Sequence, residues 1–149
     1  MSDKHGDRKK TLKKIKSPSA YRGNSQVKLT SSYDVKIDDY PIFCFKHLTG
    51  GYSLSECGTE EKAHFVDKLL VMTHKTWNDL FTGYHVSGAG FELVPVSRFN
   101  TPMPSIVTRD VDKLYVMRFN SMNHRMIGIR SDNTFHITHI DIKLTAYQH

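Results

Sequence analysis

DKLYVMRFNSMNHRMIGIRSDNTFHITHIDIKLTAYQH, residues 112–149, decides the fold of this chain. Its segments 112–120, 124–131 and 134–142 are rich in β-branched, aromatic and other apolar residues, and only SMN (121–123) and the polar turn SDN (131–133) separate them. Connections this short join neighbouring strands antiparallel, so the stretch reads as a three-strand meander. Such a sheet needs one apolar face and leaves the other polar. From residue 123 onward the stretch carries four histidines, two arginines and a near-terminal tyrosine: His124, Arg125, Arg130, His136, His139, Tyr147 and His149. These side chains can hold a phosphate, move a proton or stack on a base.

Upstream, TEEKAHFVDKLLVMTHKTWNDLFTG (59–83) carries Val66, Leu69, Leu70, Thr73, Trp77, Leu80 and Phe81 at helical spacing. The pattern predicts one long helix, N-capped by Thr59 and closed by Gly83, with this stripe packed on the sheet. At 1.5 Å per residue it would run roughly 35 Å. YPIFCFKHL (40–48) suits an opening strand, and Phe91, Leu93, Val94 and Val96 mark another before the proline-broken TPMPS (101–105). The expected fold is α+β: one long helix on a mainly antiparallel sheet that ends in the meander.

The chain has 149 residues and a net charge of +6, which suits one folded body. Residues 1–30 hold nine Lys/Arg against Asp3 and Asp7, whereas the rest holds twelve against thirteen acids. Residues 1–34 therefore read as a disordered basic tail and 35–149 as a single domain. Within RKKTLKKIKSP, the cations Arg8, Lys9, Lys10, Lys13, Lys14 and Lys16 are suited to neutralising RNA phosphates. No apolar stretch reaches transmembrane length and no signal-type apolar region follows the basic start, so the expected location is cytoplasmic, without membrane contact. Cys44 and Cys57 lack a CxxC spacing and read as reduced thiols.

His136 and His139 stand three apart on a strand, which points them to opposite faces and argues against a shared ion. No metal site and no cofactor is expected. Arg118, Arg125 and Arg130, on adjacent strands, have arms long enough to converge on an anion, with Arg130 assigned to RNA binding. Tyr147 and His149 follow the last strand. Folded back beside it, His149 would be able to protonate a leaving oxygen while an arginine stabilises a pentacovalent phosphate. Glu92 in GAGFEL is the best carboxylate to take the 2′-hydroxyl proton, with His85 as substitute.

The order strand, helix, meander, with LYVMRFNSMNHRMIGIRSDNTFHITHID (114–141) and the ending AYQH, resembles the RelE/YoeB-type bacterial toxins, small ribosome-dependent mRNA interferases. HRMIG (124–128) resembles that family's basic-Arg-apolar-apolar strand, and Tyr147 and His149 its closing His or Tyr. The resemblance spans residues 41–149. The closing pattern of Phe-His, apolar residues, Ile-Asp and Tyr-x-His also resembles a group of uncharacterised bacterial proteins. The toxin resemblance implies a RelE-like fold and metal-independent mRNA cleavage by 2′-oxygen attack. RNA or the ribosome and an acidic antitoxin are the implied partners. In this reading Arg125 and Arg118 hold the phosphate, Glu92 or His85 is the base, His149 the acid, and Tyr147 orients the nucleotide. The alternative is a non-catalytic module that binds nucleic acid or protein.

Overall fold

The computed structural model describes residues 40–87 and 90–148, without the side chains of 83–87. The fold is α+β. In chain order it contains β1 (Ile42–Cys44), α1 (Thr59–Thr73), α2 (Trp77–Ser87), β2 (Glu92–Pro95), β3 (Lys113–Arg118), β4 (Arg125–Ser131) and β5 (Thr134–Asp141). Among the described residues the strands form one sheet in the order β1-β5-β4-β3-β2. β1 runs parallel to β5, and the other neighbours pair antiparallel. The meander is present as β3, β4 and β5, and the helices and the loops cover opposite faces of the sheet.

The helical stretch is two helices rather than one. A capping box at Thr76 starts the second: the Asp79 backbone N–H donates to the Thr76 hydroxyl at 3.2 Å, and the Asp79 carboxylate accepts from the Thr76 N–H at 3.0 Å. α1 therefore stops at Thr73 and α2 restarts in a new phase. In a continuous helix Val66, Leu70 and Thr73 would share the face of Trp77. With the phase reset, α1 buries Phe65 and Met72, while Val66 and Leu70 are 51% and 58% exposed. The N-cap of α1 is Gly58, not Thr59, and α2 continues through Gly83 to Ser87.

The helix face of the sheet holds an aromatic core. Phe135 and Phe91 lie 4.8 Å apart between ring centroids, and Trp77 stacks on Phe81 at 5.6 Å. Arg130 closes this core, its guanidinium carbon 4.5 Å from the Trp77 ring centroid.

The other face carries Val94, Leu114, Val116 and Ile127, covered by Phe99 and other residues of the segment between β2 and β3, and by Ala146 and Tyr147. The last residues are held there by Asp141, whose carboxylate accepts the backbone N–H groups of Thr145 and Ala146 at 3.2 and 2.9 Å. Leu144 turns the chain in the left-handed region, at φ 58°. The returning strand-like segment then bonds to the 98–100 loop: Asn100 N–H donates to the Ala146 carbonyl and Gln148 N–H to that of Arg98.

β4 and β5 are out of simple register. Ile127 faces His139 and Gly128 faces Ile137, so Thr138 is an extra residue and forms a β-bulge. Gly128 is required there, because a Cβ would overlap the His136 carbonyl and stand 2.9 Å from the Phe135 ring.

Candidate functional site

Three strand ends and the returning segment meet on the loop-covered face. Arg118 at the end of β3 pairs directly with Arg125 at the start of β4, and Arg125 pairs in turn with Asp141 at the end of β5. Two cations placed opposite each other across strands repel. Asp141 and Glu92 balance them. Glu92, in β2 opposite Val116, lies on the same face as Val116 and Arg118, because alternate residues of β3 share a face.

Tyr147 lies at the centre of these charges. The Arg125 guanidinium carbon is 5.2 Å from its ring centroid. Burial pushes the Tyr147 phenol above its ordinary range; Arg125 and Arg118 counter this, and Glu92 and Asp141 add to it. The phenol is therefore protonated at neutral pH and able to donate. Arg125 and Tyr147 are 8% and 5% exposed, whereas Arg118 is open to solvent and Glu92 is half-buried. Among the described residues Arg118 forms no ion pair. The cluster thus has a buried base of Arg125, Asp141 and Tyr147 and an accessible rim of Arg118 and Glu92. An anion docking at the rim would meet a solvent-facing guanidinium with a carboxylate beside it.

Of the six residues that the sequence nominates for catalysis, Glu92, Arg118, Arg125 and Tyr147 come together. His85 belongs to α2, in the layer across the sheet, and its side chain is outside the described residues. His149 and the cations of the basic tail also lie outside them. Arg130 does not join the other arginines. It pairs with Phe135 on the helix face, because five positions along β4 reverse the side to which a residue points, and it serves there as the cover over Trp77.

The bulge at Thr138 overturns the argument that separates His136 from His139. Ile127 and Ile129 share a face of β4 and are paired with His139 and His136 respectively, so both histidines emerge on that same face. His139 is buried and satisfied. Thr138 Oγ1 donates to the Ile127 carbonyl and lies 2.9 Å from His139 Nδ1, while Thr101 Oγ1 lies 2.7 Å from Nε2. Burial lowers the His139 pKa to about 4, against the opposing pull of the Pro102 carbonyl and Asp141, so the ring is neutral at neutral pH.

His136 has different company. Among the described residues, one group of metal-capable side chains comes together: Cys44 of β1, His47 of the following turn and His136 of β5, with ligand atoms all within 4.8 Å of one another. Cys44 is the register partner of His136, and the His47 and His136 rings are 5.5 Å apart. The trio is brought together by parallel pairing of β1 with β5, from segments some ninety residues apart in the chain. Its sequence trace is the Cys44-x-x-His47 spacing.

No family model, curated protein or solved structure matches this chain. Among the described residues no helix is long and apolar enough to cross a membrane.

Proposed function

We propose that the protein is an RNA-handling enzyme that cleaves a phosphodiester by attack of the adjacent 2′-oxygen, without a metal, at the Arg118–Arg125–Tyr147 cluster. The reading is carried by one observation: Arg118 and Glu92 stand at the accessible rim of a charge cluster centred on Tyr147. Arg118 binds the phosphate and stabilises charge developing on its oxygens. Glu92 takes the 2′-hydroxyl proton. Arg125, held under Tyr147, fixes the ring and adds positive potential from below. His149 is the proposed acid for the leaving 5′-oxygen. The resemblance to ribosome-dependent toxins supplies mRNA as substrate class, the ribosome as the setting and an acidic antitoxin as partner.

A second reading is favoured by the burial of Arg125 and Tyr147. With these two committed to the interior, the rim would hold a phosphate without breaking a bond, and the protein would be an RNA-binding module. An assay with purified protein, ribosomes and a labelled mRNA in EDTA separates the two. Cleavage leaving a 2′,3′-cyclic phosphate, slowed about 10²–10⁴-fold in Glu92→Gln while RNA binding is kept, is the expected result. Binding by the wild type that Arg118→Ala weakens, with no cleavage on or off the ribosome, would establish the module instead.

A further inference from the structure

From the trio at the β1–β5 edge we infer that Cys44, His47 and His136 form a binding site for a zinc-class divalent transition metal ion, separate from the arginine cluster and independent of the activity proposed for it. Three features of the chain build the site. Parallel pairing sets Cys44 beside His136. The turn after β1 brings His47 back onto the same pair, giving a Cys-x-x-His chelate completed from the neighbouring strand. The Thr138 bulge turns His136 to the loop-covered face while Phe135 stays in the aromatic core.

The donor chemistry suits the ion. One thiolate and two imidazoles form a borderline-soft set that prefers zinc, cobalt or copper to magnesium or calcium, and three protein donors leave a fourth position for water or an external ligand. In a tetrahedral zinc site, bond lengths of about 2.0–2.3 Å put donor atoms about 3.3–3.6 Å apart. The present separations, within 4.8 Å, close to that range by about an ångström of side-chain movement. His136 Nδ1 is buried and has no hydrogen-bond partner among the described residues, an arrangement that a buried polar atom rarely tolerates and that a nearby ligand set explains. All three side chains are half-buried, so the site is open to an entering ion while shielded from bulk water.

Binding here would join β1, a three-residue edge strand, to β5 through side chains as well as backbone. The ion adds a cross-link between segments far apart in sequence, so it stabilises the folded chain by mass action.

The test uses the full chain, reduced and stripped of metal. Titration with Co²⁺ should give one equivalent bound, with a thiolate-to-cobalt charge-transfer band and the visible bands of tetrahedral coordination; Zn²⁺ should displace it and raise the thermal midpoint. Cys44→Ser should abolish the charge-transfer band, and His136→Gln and His47→Ala should each weaken binding by more than the about 10–100-fold that loss of an outer-shell partner costs. Cys57→Ser, altering the buried cysteine of the helix-side core, should leave the titration unchanged. A wild-type cobalt spectrum without thiolate ligation would overturn the inference without recourse to any variant, as would loss of the band in Cys57→Ser. Unchanged zinc affinity in folded Cys44→Ser and His136→Gln, checked by circular dichroism, would overturn it equally.

Discussion

The two faces of the sheet are built from different chemistry. On the helix face Phe135, Phe91, Met117 and Ile140 meet Trp77 and other side chains of α1 and α2, and the cation that approaches them, Arg130, sits over the Trp77 and Phe81 rings. On the loop face the apolar patch around Ile127 and Val116 shares its space with His139, Asp141, Arg125 and Tyr147, with the Cys44–His47–His136 trio on the β1 side. Aromatic packing whose one nearby cation stays charged across the accessible pH range favours a tight core. Buried ionisable groups favour a surface whose charge and proton state respond to ligands. The helix side thus gathers the large aromatic rings and the loop side most of the buried ionisable groups, a division that substitutions on either side can break.

The largest effect belongs to the helix face. Phe135→Ala removes a fully buried ring that touches Phe43, Phe91 and Trp77, and should cost about 3–5 kcal/mol in urea unfolding. Leu70→Ala, on the exposed side of α1, should stay within about 0.5 kcal/mol. A large loss from Leu70→Ala would mean that the side of α1 turned from the sheet is covered in solution. On the loop face, His139 makes stability depend on pH. The unfolded imidazole binds its proton near pH 6.5 and the folded one near 4, so between these values the unfolded chain holds more protons. The stabilisation is whole above about pH 6.5 and is lost as pH falls through 4, amounting to about 3 kcal/mol. His139→Gln should flatten the fall in thermal midpoint between pH 7 and 5; an equally steep fall in the variant would place the acid sensitivity elsewhere.

The meander was legible because alternation and short polar turns are local signals, and β3, β4 and β5 lie where those signals put them. The phase of α1 was not. Reading through residues 74–76 tied Val66 and Leu70 to Trp77, although Thr76-x-x-Asp79 is a capping box and marks a new start. The bulge escaped for a related reason: a period-two count across FHITHI assumes an unbroken strand, and the residue that reveals the break is Gly128 on the partner strand. Cys44 and His136 meet only through parallel pairing of β1 with β5, which leaves no short-range mark in the sequence. Arg118 and Arg125 meet through the meander register, Glu92 joins them through the pairing of β2 with β3, and Tyr147 is returned by a turn on Asp141 that no local sequence pattern marks.

Gly128 couples the two faces, because the bulge it permits keeps Phe135 and Ile137 in the aromatic core while turning His136 and His139 the other way. Gly128→Ala sets a methyl group against the backbone carbonyl of His136, which cannot rotate aside as a side-chain end would. The expected cost is about 1–3 kcal/mol by denaturant unfolding, with amide shifts at both His136 and Phe135. A neutral result would mean that the bulge relaxes to another position, and the histidine ring resonances would then move while stability held.

A smaller loss than that of Phe135→Ala tests the break that sets the helix face. Thr76 accepts the Asp79 N–H and returns its own N–H and hydroxyl to the Asp79 carboxylate, and these bonds hold the Asp79 carboxyl below its ordinary pKa. Thr76→Ala removes the hydroxyl and should cost about 1 kcal/mol, the usual loss for a deleted N-cap. It should also let the Asp79 pKa rise, because the side-chain hydrogen bond from Thr76 is the largest influence lowering it. Carboxyl chemical shifts followed by NMR through an acid titration read that rise directly. If the midpoint of Asp79 does not move, the box is not formed in solution, the two helices are free to join through residues 74–76, and Val66 and Leu70 would then take the buried phase that a continuous helix demands.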